Sequence, residues 1–287
     1  NSMKKKILIT GSNSFVGYEL IKYLSNYNYN IIGTYRKNKK FFNKKKIKQI
    51  KLNLKDKFIL DKKFKILIHC ASVTPPNEKG QNYFKANILG LKRLLNQSLK
   101  LKCKKIILVS SSVVYGSLGK PVSEKSPCRG KSVYAKSKLK MEDIALKFSK
   151  KNNIDLVIIR LSQIVGKNSI NNYFSEIKKI LKNKKPLIYL QSNKDTFNNI
   201  CHISDVCKNI KKMMNLDHNN IKNKIFNFVS KNPTTIKKLK AAILYFNKET
   251  IFKENKIPKF YKISSDKNFK YNLRFQKTHN IIKSELR

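Results

Sequence analysis

Lys6-Ile7-Leu8-Ile9-Thr10-Gly11-Ser12-Asn13-Ser14-Phe15-Val16-Gly17 is the stretch on which the reading of the whole chain turns. A short β-branched run stops at one glycine, a second follows at Gly17, and an amphipathic helical pattern starts between them at Phe15. A tight strand-to-helix turn of this kind aims free backbone N–H groups, and the positive end of a helix, at a phosphate; glycine permits the close approach. In a Gly-x-x-Gly-x-x-Gly loop the middle position would be glycine, and here it is Ser14. Taken alone the spacing also fits a plain turn. Its place at the first strand of an alternating pattern gives it weight.

That pattern runs through the first 165 or so residues. Strands are expected at 6–10, 30–35, 47–52, 66–71, 105–110 and 156–161, and helices at 15–26, 82–100 and 132–151. Strand–helix alternation means β-α-β units and a parallel sheet. Continuous apolar runs such as Ile66-Leu67-Ile68 and Leu156-Val157-Ile158-Ile159 mark strands covered on both faces. After Gly166 the pattern loosens into helix (173–182), strand (187–190), helix after His202, strand (225–229) and helix after Thr235. The fold expected is α/β, a Rossmann-like doubly wound parallel sheet with a small mixed α/β substrate lobe. Residues 3–166 would form the dinucleotide-binding domain, with 197–230 returning to it, and 167–196 with 231–287 would form the lobe over the carboxyl ends of the strands.

The composition pulls toward another class. Lys+Arg number 64 against 16 Asp+Glu in 287 residues, a formal charge of +48. Only six of the basic residues are arginine (Arg36, Arg93, Arg129, Arg160, Arg274 and Arg287), and lysines run through every segment beside abundant Asn and Ile. That is the mark of AT-rich coding, not of a binding footprint, and arginine patches interleaved with stacking aromatics are missing; no specific nucleic-acid partner is expected. Apolar runs are of strand length, so no membrane segment is expected and the protein reads as cytoplasmic. Asn1-Ser2 ahead of Met3 reads as a cloning remnant. Five widely spaced cysteines without a C-x-x-C pair indicate buried free thiols, and no cluster has metal-ligand spacing.

Dinucleotide folds usually carry an acid at the end of the second strand, where it bonds the adenosine ribose and repels a 2′-phosphate. Here no Asp or Glu occurs between Glu19 and Asp56, and the strand ends Thr34-Tyr35-Arg36-Lys37. Arg36 offers a planar fork suited to phosphate. NADP(H) is therefore favoured as cofactor, with NAD(H) possible; Tyr35 and Arg36 join Gly11, Asn13, Ser14, Phe15, Val16 and Gly17 as cofactor-binding candidates.

Tyr134 and Lys138 stand four apart on one helix face. Lysine is so frequent that roughly two or three such spacings arise by chance, and three occur: Tyr18/Lys22, Tyr35/Lys39 and Tyr134/Lys138. Only Tyr134 opens a helix after a long strand ending Val109-Ser110-Ser111-Ser112, with Val114-Tyr115-Gly116 beyond. The ordered set is Thr10-Gly11 to Gly17, Ile68-His69-Cys70-Ala71-Ser72, Asn87-Ile88-Leu89-Gly90, Ser110 to Gly116, Tyr134 to Lys138, Arg160 to Gly166 and His202-Ile203-Ser204-Asp205-Val206. The stretch Asn227 to Leu239 and the pair Asp266-Lys267 complete it. With these motifs the chain resembles, over nearly its whole length, an extended short-chain dehydrogenase/reductase of the NAD-dependent epimerase/dehydratase family.

The resemblance implies Tyr134 as general acid/base, Lys138 holding it and the nicotinamide ribose, and Ser111 orienting the substrate oxygen. An adjacent ammonium would favour the phenolate of a group whose ordinary pKa is near 10. It also implies cofactor contacts at Asn53, Leu54, Cys70, Ala71, Ser72 and Asn87, besides Tyr134 and Lys138. Dehydratases of the family carry Asp-Glu where this chain has Ser112-Val113, and no Cys stands near Ser111, which leaves hydride chemistry at one carbon: a 4-epimerase or an alcohol/ketone reductase. A nucleotide-linked sugar is the expected substrate, although Asn198-Asn199-Ile200-Cys201-His202 departs from the family's Arg-Asp-Phe-Ile-His and Gln163 replaces an Asn. A non-nucleotide carbonyl substrate, or a dinucleotide sensor without catalysis, is the alternative. The helices at 82–100 and 132–151 would pair two copies into a homodimer. His69 is expected as a satisfied core histidine, His202 and Asp205 at a helix start capped by Ser204 or Asp205, and Glu124 as a loop carboxylate that either gates the pocket or stays solvated.

Overall fold

β-branched runs that cannot bury two faces alone assemble into a seven-stranded sheet. Its strands are β1 (Lys5–Thr10), β2 (Tyr29–Tyr35), β3 (Ile47–Lys51), β4 (Ile66–His69), β5 (Lys105–Ser111), β6 (Asp155–Leu161) and β11 (Lys224–Phe228), in the order β11-β6-β5-β4-β1-β2-β3. Neighbours from β3 through β5 pair in parallel, with Ile9 opposite both Gly33 and Ile68. The sheet is the doubly wound, Rossmann-like one expected. The computed structural model describes residues 5–38, 42, 47–74, 80–116, 120–167, 169, 173–190, 197–216, 224–254 and 262–286.

Two compact units share the chain: 1–114, 131–160 and 207–226 form one; 115–130, 161–206 and 227–287 form the other. In the first, β4 and β6 are buried at every position. Leu67, Ile106 and Leu108 of the sheet pack with Leu91, Leu94 and Leu95 of α3 (Leu91–Lys100) and Met141 and Ala145 of α4 (Val133–Asn152). The second unit has its own core of Phe174 and Ile177 on α5 (Tyr173–Ile180), Ile188 and Leu190 on β8 (Leu187–Leu190), and Leu239, Ile243 and Ile281.

Several local expectations change. The helix expected at 82–100 begins at α2 (Gly80–Tyr83), widens to a π-helix over Phe84–Gly90 and only then continues as α3. Gly90 explains the site of the change: a Cβ there would lie 2.5 Å from the Leu54 carbonyl oxygen, so the helix presses directly on the backbone after β3. In the second unit the cap of α6 (Ile203–Asn215) is His202, whose Nδ1 accepts the Ser204 N–H at 3.2 Å. Asp205 instead accepts the Gln276 N–H at 2.8 Å. Glu124 is half-buried, and its carboxylate accepts the Asn227 N–H at 2.8 Å. All five cysteines are free thiols, but Cys70 and Cys128 are half-buried where burial was expected.

The turn after β1 shows why its residues are what they are. Gly11 has φ +76°, and a Cβ on it would stand 2.9 Å from Ala71 Cα. A Cβ on Gly17 would stand 2.1 Å from the Gly11 carbonyl oxygen. Ser14, at φ −70°, needs no glycine and caps α1 (Phe15–Leu24): its Oγ accepts the Gly17 N–H at 3.1 Å and donates to the Gly11 carbonyl at 2.8 Å. Gly17→Ala should therefore lower stability by about 1–3 kcal/mol, read as a lower urea midpoint, while Ser14→Gly should cost only a few tenths of a kcal/mol. Equal midpoints for the two variants would contradict this packing.

Candidate active site

At the carboxyl ends of β1 to β4 the first unit opens a cavity of about 250 Å³. Of the residues expected there, Gly11, Asn13, Ser14, Tyr35, Arg36, Asn53, Leu54, Ala71 and Ser72 line it. Thr34, Leu52, Lys55, Val73, Thr74 and Ala86 line it as well and were missed. Most of these directly precede or follow an expected residue at a strand end, and that adjacency was the available signal. Thr34 also builds the turn: its carbonyl accepts the Ser12 N–H at 2.7 Å and its hydroxyl the Gly11 N–H at 3.2 Å.

Phe15, Val16 and Gly17 do not line the cavity with side chains; they offer backbone. Ser14 takes up the Gly17 N–H through its hydroxyl and the Tyr18 N–H through its carbonyl. Phe15 and Val16 supply the first N–H groups of α1, which have no acceptor within a helix. Two N–H groups at the positive end of a helix, beside a glycine cradle that any Cβ would fill, fit a pyrophosphate.

Asn87 is fully buried and does not reach the cavity. Its Oδ1 accepts the Val73 N–H at 2.8 Å, and its Nδ2 donates to the Val73 carbonyl at 3.3 Å and the Ser137 hydroxyl at 3.2 Å. It ties the loop after β4 to α4.

Tyr134 stands at the start of α4, near Ser72, Ser111 and Lys138. Burial pushes its phenol up to about 12, against the Ser72 and Ser111 hydroxyls, which favour its ionised form. The ring of Tyr83 packs at 6.2 Å between centroids. Lys138 is 3 % exposed and its Nζ stands 5.7 Å from the Tyr134 ring centroid while donating to the Val109 carbonyl at 3.0 Å. The ammonium was expected to ease ionisation of the phenol; here the two serines do so, because Lys138 turns to the end of β5. Burial pulls Lys138 down to about 8, opposed by the charges of Cys70 and Glu142. A phenol with a lysine beside it, in the unit that opens this cavity, is of the chemical kind that can exchange a proton with an oxygen brought to it.

His69 is wholly buried, with Nδ1 2.8 Å from the Thr10 hydroxyl; its Nε2 has no partner among the described residues, so it is not the fully satisfied histidine expected. Burial, and next the charge of Lys138, push it down to about 3. Among the described residues no three His, Cys, Asp or Glu side chains are grouped to hold a metal, and no helix is long and apolar enough to cross a membrane.

Sheet order and glycine cradle together define a Rossmann-like α/β fold with a turn suited to a dinucleotide. Residues 7–228 match the NAD dependent epimerase/dehydratase family, and the chain belongs to it. It is 28 % identical over 284 residues to a putative UDP-glucose 4-epimerase of Methanocaldococcus jannaschii, covering 91 % of this chain and 89 % of that one. In fold it is similar to the UDP-glucuronic acid 4-epimerase of Bacillus cereus in complex with NAD, with TM-score 0.80 and 21 % identity over 98 % of this chain and 100 % of that one. MoeE5 in complex with UDP-glucose and NAD gives TM-score 0.82 at 17 % identity, covering 98 % and 97 %.

Because His69 is buried neutral, the unfolded chain binds a proton that the folded one excludes between its ordinary pKa near 6.5 and about 3. Stability should fall as pH drops through that window, and His69→Gln should flatten the slope in urea titrations. An identical slope in the variant would contradict the buried, neutral ring.

Proposed function

We propose that this protein is a nicotinamide-dinucleotide-dependent enzyme that moves a hydride at one carbinol or keto carbon of a nucleotide-linked sugar, as a 4-epimerase or a reductase. The carrying observation is the Tyr134 phenol, with Lys138 Nζ 5.7 Å from its ring and with Ser72 and Ser111 favouring its ionised form, in the unit whose cavity fits a dinucleotide. The relatives support the substrate class: two bear the names of UDP-sugar 4-epimerases, and MoeE5 is in complex with UDP-glucose.

A bound nicotinamide supplies the acceptor and donor of hydride. The rest falls to the chain. Tyr134 takes the proton from the sugar hydroxyl as the carbon is oxidised and returns it on reduction, and Ser111 orients that oxygen. Lys138 would hold the ribose and gives the phenol a positive neighbour, its Nζ 5.7 Å from the ring. The Phe15 and Val16 N–H groups hold the pyrophosphate. Ser112 and Val113 offer no acid or base for expelling water, so dehydration is not part of this reading. Tyr134→Phe should lower turnover of a nucleotide sugar at least about a hundredfold while dinucleotide affinity, read by fluorescence titration, changes less than about threefold. Wild-type turnover in the variant would refute the role.

A preference for NADP(H) rests on the lining itself. Arg36 and Lys55 are its two charged residues and it holds no carboxylate. Asp56, the first acid after Glu19, is bonded by Asn53 Nδ2 at 2.8 Å and does not line the cavity. NAD appears in the structures of the relatives, so the difference would belong to this chain. NADPH should bind at least about tenfold tighter than NADH at low salt, with Arg36→Ala removing most of the gap. Equal or tighter binding of NADH would overturn the preference and favour the retained-NAD epimerase.

A further inference from the structure

Tyr134, Lys138 and Glu142 recur at four-residue spacing along one face of α4. The first two belong to the reaction proposed above. The third is buried, 3 % exposed, and is held from two strands at once. Arg160 of β6 donates to it twice, Nε to Oε1 at 3.1 Å and Nη2 to Oε2 at 2.7 Å, and Ser110 of β5 donates its hydroxyl to Oε1 at 2.5 Å. Arg160 is itself 4 % exposed. A buried ion pair is a weak source of stability, since desolvating both charges offsets most of their attraction. Its position one turn beyond a buried lysine gives it another use.

We propose that Glu142, locked by Arg160 and Ser110, is a positioning residue for Lys138: the fixed counter-charge that keeps this lysine an ammonium inside the first unit. The inference deepens the reading of Lys138 as the ribose and tyrosine partner and rests on that reading for its purpose.

The surroundings of Lys138 leave no other anion among the groups acting on it at neutral pH. On α4 itself Tyr134 is pushed up to about 12 and stays a neutral phenol. At the end of β4, His69 is pushed down to about 3 and is a neutral imidazole, and the Cys70 thiol is pushed up to about 12. Cys70 therefore acts on Lys138 only where it ionises, well above neutrality. β5 contributes the Val109 carbonyl and the Ser110 hydroxyl, and β6 contributes Arg160, a second cation. Of these groups Glu142 is the carboxylate, held in its ion pair with Arg160. Without it, the buried lysine and the buried arginine of this unit would both lose that carboxylate.

Competitive acetylation of the whole protein by acetic anhydride, with Lys138 followed by mass spectrometry across pH, reads its protonation without any dinucleotide. Glu142→Gln should move the midpoint down by about one pH unit or more, and Glu142→Asp should restore most of it. Arg160→Met, which removes the competing cation, should move it up. Opposite signs for the two partners distinguish a charge effect from loosened packing, which would shift both the same way. An unmoved midpoint in Glu142→Gln, or a downward shift in Arg160→Met, overturns the proposal; if Glu142→Gln does not fold, Arg160→Met decides alone. NADPH titration separates this from the proposed function: Glu142→Gln should bind about fivefold more weakly at pH 8 and equally at pH 6. The expected labelling shifts in the variants, together with a wild-type protein that binds no dinucleotide, would sustain the counter-charge and sink the functional reading.

Discussion

No side chain fits between the backbones of Gly11 and Ala71, and the arrangement of the first unit follows from that approach. It brings the end of β1 against the loop after β4, where Ala71 N–H reaches the Thr10 hydroxyl at 3.2 Å and the chain leaves the sheet. Gly17 repeats the constraint one helical turn later, against the Gly11 carbonyl. The two contacts seat the start of α1 directly after Gly11 and Ser14, which line the cavity. Ser14 is accepted at the middle position because its backbone is ordinary and its hydroxyl is useful as a cap. Asn87 secures the far side of the same loop by a second route, through Val73 and Ser137.

Charge is handled in the opposite way on α4. There the unit buries a lysine and a glutamate one helical turn apart, the glutamate paired with Arg160 of β6, where each alone would be expensive. Such a grouping specifies an electrostatic environment, and Tyr134, whose ionisation is resisted by burial, stands one turn before the lysine. The large surface charge has no part in this. At +48 it is set mainly by lysine composition, although a field of that sign also favours the approach of anionic ligands.

What could be read from the chain was what depends on local pattern. Strand periodicity, the glycine turn and the missing acid between Glu19 and Asp56 all lie within short windows, and each is found in place. The Tyr134–Lys138 pair needed its neighbours, since lysine abundance makes the spacing common. The supporting contacts lay beyond reach because they join distant residues: Asn87 to Ser137, Ser110 to Glu142, Asn227 to Glu124. His202 as a cap could not be told from Ser204 or Asp205, as three adjacent polar residues can each close a helix start and only Gln276 decides among them. The π-helix at Phe84–Gly90 likewise answers to Leu54, thirty residues or more away.

The central claim is that this site carries out reversible hydride chemistry on a nucleotide-linked sugar. Its most direct measurement is stopped-flow absorbance of the protein loaded with oxidised dinucleotide and mixed with a panel of nucleotide sugars. At least one sugar should raise the near-ultraviolet band of reduced nicotinamide, and the band should be absent when Tyr134 is replaced by Phe. A dinucleotide that binds tightly yet shows no reduced band with any sugar, and none oxidised by keto-sugars in the reverse direction, would contradict the account and leave a binding protein in place of an enzyme.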